Sequence, residues 1–176
     1  MIASVAGLTV TEFILVAQAV TNADADLIEI NLNDPHVHKH VDPFQSVERL
    51  NEVVSTLRHK ISTPLAIKLP SSMPLSLLDI ARTLVRNKIP VAICHNASVD
   101  GRPSQAQAIL EASEGELDVI GVGGVSTGAQ ALAVLQGGIK AIQIGSALVK
   151  EGVGLFARLK HELAALTGTE IEELAS

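Results

Sequence analysis

Short runs of consecutive apolar residues alternate with longer segments of helical period from one end of the chain to the other. The short runs are Ile2 to Val5, Leu27 to Leu32, Leu65 to Lys68, Val91 to Cys94, Val119 to Gly121 and Ala141 to Ile144. They are rich in Ile and Val and carry no alternation, which is the pattern of strands buried on both faces. The longer segments predict helices. Thr9-Val10-Thr11-Glu12 has capping-box spacing and starts the first. Phe44 to Arg58, Leu75 to Asn87 and Pro103 to Glu114 form the next three. A second capping box at Thr127-Gly128-Ala129-Gln130 opens a helix that stops near Gly137-Gly138, and Gly152 to Leu166 is the last long one.

Strand starts lie roughly 23 to 38 residues apart, the length of one β-loop-α unit. Strict alternation of this kind builds a parallel sheet. No linker or composition break interrupts it, so residues 1–176 read as a single domain. Six units fall short of the eight strands and roughly 250 residues of a closed (β/α)8 barrel. The pattern alone leaves a curved, incomplete barrel and an open doubly wound sheet both standing.

Composition narrows the core and the partners. There is no Trp or Tyr and there are three Phe in 176 residues, so the core is built of Ala, Val, Leu and Ile. A formal net charge of −6 argues against a nucleic-acid surface or a polybasic membrane contact. The one cysteine, Cys94, excludes an intrachain disulfide and fits a reducing, cytoplasmic setting. The N-terminus lacks the basic start of a secretion signal, and no stretch is long and apolar enough to span a membrane.

Candidate chemistry gathers at the C-terminal ends of the strands. Val122-Gly123-Gly124-Val125-Ser126-Thr127-Gly128 and Ile144-Gly145-Ser146-Ala147 follow the last two strands. Glycines there let backbone N–H groups approach an anion, and the loops after the last two strands of such barrels are the usual phosphate clamp. Ordinary strand-helix turns are the plainer reading. Lys68 ends an apolar strand, where it either meets an anion or extends into water. The motif Glu29 to His36 puts Glu29, Asn31, Asn33, Asp34 and His36 at the C-terminal end of the second strand, and Cys94-His95-Asn96-Ala97-Ser98 stands at the corresponding end of the fourth. The run Asp34 to Asp42 is histidine-dense, but no distant ligand set accompanies it, so a solvated loop is expected and no metal site. Cys94 is expected to be buried and inert, and His59, His161, Arg82, Arg86 and Lys88 to lie on the surface.

These motifs resemble the class 1 dihydroorotate dehydrogenases. Asn31-Leu32-Asn33-Asp34-Pro35-His36 is similar to that family's Asn-Leu-Ser-Cys-Pro-Asn motif, and Ile67-Lys68-Leu69-Pro70 to its Val-Lys-Leu-Pro strand. Ile120 to Gly128 and Gln143 to Phe156 follow its flavin-phosphate region, and Ser4-Val5-Ala6-Gly7-Leu8 matches its third strand. The resemblance implies an incomplete TIM barrel of the (β/α)8 type, with about six βα units and the N-terminal strands missing. It implies FMN as cofactor and the oxidation of dihydroorotate to orotate in pyrimidine biosynthesis. Hydride would pass from substrate C6 to flavin N5 while a base takes the C5 proton. By position, Gly123, Gly124, Gly145 and Ser146 would hold the phosphate, and Lys68 would sit at the N1/O2 edge of the flavin. Asn31 would contact flavin and substrate, with His36, Asn96 and Ser98 as further substrate contacts.

The chain departs from the family in three ways. Asp34 stands where the family has its catalytic Cys or Ser, and an unperturbed Asp is a weak base. His36 replaces a substrate-binding Asn. The first two strands, with their flavin contacts and a substrate-gripping Lys, have no counterpart. The runner-up reading is therefore a non-catalytic barrel that binds a phosphate-bearing ligand. The expected assembly is a homo-oligomer or a complex with a partner chain that completes the barrel.

Overall fold

The computed structural model describes residues 1–32, 42–96 and 104–168. Among these, six strands form one parallel sheet: β1 (Ile2–Val5), β2 (Leu27–Asn31), β3 (Leu65–Lys68), β4 (Val91–His95), β5 (Asp118–Val122) and β6 (Ala141–Gln143). Helices α1 (Val10–Thr21), α2 (Val47–Lys60), α3 (Leu77–Arg86), α4 (Gln105–Ala112) and α5 (Gly128–Gln136) each follow a strand. Two helices close the described chain, α6 (Ser146–Glu151) and α7 (Gly154–Thr167). The alternation expected from the hydrophobic pattern is present throughout. The short α6 is the element that the pattern did not foretell, because six residues span less than two helical turns.

Strand order in the sheet equals order in the chain, β1 through β6. That order has no switch point and therefore is not a doubly wound sheet. Curvature is shown by one contact. The Gln143 amide on β6 donates to the Glu29 carboxylate on β2 at 2.6 Å. In a flat sheet those strands would lie four spacings apart, about 19 Å. The sheet therefore curls into an arc whose ends face each other, as in an incomplete barrel.

The curl separates two apolar layers. Outward side chains of the strands, among them Ile28, Ile30, Ile67, Ala92 and Val119, pack with the helices. The helices present Phe13 and Ala17 from α1, Leu50, Val54 and Leu57 from α2, Ile80 and Leu84 from α3, and Ile109 from α4. The inward faces supply a second, smaller cluster of Ala66, Ile93 and Ile120, with Leu27, Val91 and Val122 against it. A third cluster joins α6 to α7 through Ala147, Leu155 and Leu159. The buried-strand pattern holds best in β2 to β5. In β1 and β6, which pair on one side only among the described residues, Ile2 is 51% exposed and no residue of β6 is fully buried.

Both sequence-marked helix starts are capped as expected. Thr9 accepts from the N–H of Glu12, and the Glu12 carboxylate takes the N–H of Leu8. Thr127 and Gln130 form a complete capping box, and α5 stops at Gly137.

Candidate functional site

The residues that could do chemistry sit at the C-terminal ends of the strands and in the layer just inside them. Glu29 belongs to β2 between Ile28 and Ile30, which face the helices, so its side chain must face inward. It is 2% exposed. A carboxylate buried so deeply needs partners, and it has three. Ser4 on β1 donates to Oε1 at 2.8 Å, Lys68 Nζ on β3 donates to the same oxygen at 3.2 Å, and Gln143 Nε2 takes the other oxygen. Lys68 also donates to Gln143 Oε1 at 3.2 Å. Four strands thus meet in one closed polar layer. The Lys68 ammonium has three protons, and two are committed here.

Above this layer stand the glycine turns. Gly123 and Gly124 have φ of +82° and +75°, a conformation that side-chain-bearing residues seldom adopt. A Cβ at Gly123, Gly124 or Gly145 would meet nothing within 4 Å, so open space borders the backbone at all three. Among the described residues, the N–H groups of Gly124 and Gly145 meet no acceptor. Two backbone donors without an acceptor thus stand in the turns after β5 and β6, and backbone donors of this kind can bind an anion.

Most donors at the α5 N-terminus are taken by the chain itself and do not add to this cradle. Gln130 Oε1 accepts from Ser126 N and Thr127 N, and Glu162 of α7 accepts from Gly128 N at 2.5 Å. Gly128 is where the two helices touch, since a Cβ there would lie 2.4 Å from the Glu162 side chain. Arg158 completes the clasp, bonding Glu162, Glu151 and the Ser126 carbonyl. The Gly128 N–H, and then Arg158, hold the Glu162 carboxyl below the usual carboxylate range. Its folded pKa is depressed, so its stabilisation is present above the unfolded pKa and is lost as pH falls through the folded one. The melting temperature of the native chain should exceed that of Glu162→Gln at pH 7, and the gap should close below about pH 4. Thermal melts across pH would show it; a gap that persists in acid would contradict it.

Asn96 occupies a place different from that expected of a substrate contact. Its amide lies against Gly121, where a Cβ would come within 1.9 Å of it, and donates to the Gly123 carbonyl at 3.3 Å. With Gln107 and Val134 it lines a groove of about 270 Å³ between α4 and α5. From this outer side it braces the Gly123 turn and does not line the interior. The small Gly121 is what gives it room.

Of the other expected site residues, Asn31 and Lys68 are register partners on adjacent strands, and Gly145 and Ser146 open α6 beside Gln143. Asp34, His36 and Ser98 lie outside the described residues, as does the histidine-dense run from residue 34 to 41. Cys94 is buried on the helix side, and burial pushes its thiol up to about 12, so it stays protonated. His59, His161, Arg82, Arg86 and Lys88 are exposed, as expected.

Three more inward groups have no role in the resemblance-based assignment, although Glu29 and His95 stand within the polar strand-end motifs of the sequence. Glu29 and Gln143 close the polar layer, and a Glu flanked by Ile on both sides was the available signal. The third is His95, two residues on from the inward-facing Ile93. Its ring Nε2 is buried and meets no partner among the described residues. Burial, and then the nearby Lys68 charge, lower its pKa and keep the ring neutral.

The chain is similar to proteins of one family. The family model described as dihydroorotate dehydrogenase matches residues 104–167, the part that carries both glycine turns. A dihydroorotate dehydrogenase (fumarate) from Lachancea kluyveri is 26% identical over 93% of this chain and 62% of its own length. A dihydroorotate dehydrogenase (quinone) from Rhodospirillum rubrum is 29% identical over 80% of this chain and 46% of its own. The chain thus spans about three-fifths or less of these relatives. Among solved structures, a dihydroorotate dehydrogenase from Eimeria tenella in complex with ferulenol superposes with a TM-score of 0.71, at 15% identity, over 89% of this chain and 54% of that one. That likeness concerns the fold. No helix among the described residues is long and apolar enough to cross a membrane.

Proposed function

We propose that this chain, which is similar to the dihydroorotate dehydrogenases, binds FMN at the open ends of β3, β5 and β6 and serves as the flavin-holding part of an oxidoreductase of that type. The observation that carries the reading is the pair of glycine turns, whose unpaired N–H groups and open space lie beside the Lys68 ammonium layer. The N–H groups of Gly124, Gly145 and Ser146 would hold the phosphate, joined by that of Gly123 once it leaves the Gln143 carbonyl. The remaining Lys68 proton would meet the electron-rich edge of the ring, where a fixed positive charge favours the reduced form. FMN, when bound, would supply the acceptor for a hydride from a dihydroorotate-like substrate. Asn31 would bridge ring and substrate, while His36, Asn96 and Ser98 are the further substrate contacts carried over by position. For Asn96 that role requires its amide to leave the Gly123 carbonyl. Asp34 would receive the substrate proton. The two relatives are named for different acceptors, fumarate and quinone, so kinship fixes no acceptor here.

A second reading has its own observation. Lys68 is already paired with Glu29, and β1 and β6 each leave one edge free among the described residues. Both fit a domain that binds a phosphate-bearing ligand without turnover, or that works with a partner chain or a second copy.

The test is retention of FMN. Protein mixed with FMN and desalted should keep a flavin absorption band shifted from that of free FMN. Gly124→Val, which places a branched residue at a φ of +75° and fills the cradle, should weaken binding at least about tenfold while the fold survives. A native chain that keeps no flavin would exclude the first reading. Dihydroorotate-dependent bleaching of the retained band would separate it from the second.

A further inference from the structure

We propose that Glu29 is a positioning residue for Lys68, held in turn by Ser4 and Gln143, and that its charge sets how much of the Lys68 positive charge a bound flavin feels. The inference rests on the FMN reading above but concerns residues that the reading does not use. Glu29 is almost fully buried, its carboxylate is shared among donors from β1, β3 and β6, and Lys68 Nζ is 3.2 Å from both Glu29 Oε1 and Gln143 Oε1.

Geometry gives Glu29 two jobs. With Gln143 it fixes two of the three ammonium protons, so the third can point at the strand ends only in a narrow cone. It also offsets the Lys68 charge from a carboxylate that is itself almost fully buried, where a neighbouring charge is felt more strongly than in water. Among the described residues, His95 is the further titratable group beside Lys68 and is neutral above its lowered pKa, so at pH 8 the balance among them is between Lys68 and Glu29. Ser4 adjusts that balance. Its hydroxyl donates to the same Glu29 oxygen that Lys68 uses, and so withdraws part of the negative charge Lys68 would otherwise meet.

Opposite effects should follow from two substitutions. Glu29→Gln keeps the shape and removes the charge. A bound flavin should then be easier to reduce, by about tenfold in its two-electron equilibrium, which is about +30 mV. Ser4→Ala removes the competing donor and should shift the equilibrium the other way, by about threefold or −15 mV. The experiment is a dye-coupled reductive titration of the FMN-loaded chain and both variants at pH 8, with binding measured first by quenching of flavin fluorescence. A merely structural role would not give shifts of opposite sign. Unchanged potentials in the variants, with flavin bound, would overturn the positioning role and leave the FMN reading intact. A native chain without a flavin band would overturn both. If Glu29→Gln does not fold, the partly exposed Ser4→Ala decides alone, and an unmoved potential there sinks the proposal.

Discussion

Lys68→Met should cost about 3 kcal/mol of folding stability, among the largest losses available to a single polar change in this chain. Glu29 is 2% exposed, and after Lys68 is gone only Ser4 and Gln143 would be left to meet its carboxylate. Removing one member of a buried pair leaves the other uncompensated, and that penalty exceeds the net worth of the pair. The figure sits at the low end of the usual 3 to 5 kcal/mol because the Lys68 side chain retains 18% exposure. Adding Glu29→Met to Lys68→Met should restore most of the loss, since the apolar pair would join the adjacent Ala66, Ile93 and Ile120 cluster. Urea denaturation of the two single variants and the double one forms the cycle. Additive losses would mean that the two side chains do not depend on each other.

A comparable loss is expected from Phe13→Ala, about 3 to 5 kcal/mol. Phe13 is fully buried in the layer between α1 and the sheet, among residues such as Ala17, Ile28 and Ile30. Truncation there removes a large apolar surface and leaves a cavity that the rigid strands cannot collapse into. Phe156 is the control, being 46% exposed on α7, and its change to Ala should cost under about 1 kcal/mol. The Phe13 site also bears on function. It anchors α1 beside the edge strand β1, and β1 carries Ser4, a partner of Glu29. Amide exchange in β1 should therefore accelerate more than in β3 or β4 in the Phe13→Ala variant. Equal acceleration everywhere would mean that the chain opens only as a whole.

Much of the architecture was legible because burial writes itself into composition. A strand covered on both faces can hold only apolar residues, so Leu65-Ala66-Ile67 and Val91-Ala92-Ile93-Cys94 stand out from their surroundings. Caps are local chemistry over four residues, so Thr9 with Glu12 and Thr127 with Gln130 marked helix starts that the structure contains. The glycine turns were legible for the same reason: a positive φ is a demand on one residue, and Gly123 and Gly124 meet it. Position at strand ends then suggested an anion site.

Tertiary structure decided what no local pattern encodes. Hydrophobic runs do not state which strands adjoin, so the choice between a doubly wound sheet and a barrel arc waited for the contact of Gln143 with Glu29, 114 residues apart. The same long-range closure turned Glu29 from an odd charge in a strand into the centre of the polar layer. It also gave Lys68 its partners, which proved to be protein groups and not solvent. Asn96 shows the reverse. One residue past β4, its N–H still bonds the Val122 carbonyl, so alternation carries its side chain outward with Cys94, and Gly121 leaves it room there. The sequence by itself determined the strands, the longer helices, their caps and the glycine turns, because each depends on neighbours within a few residues. Which side chains share the interior was settled only by folding, because it depends on the curl that brings β6 across to β2.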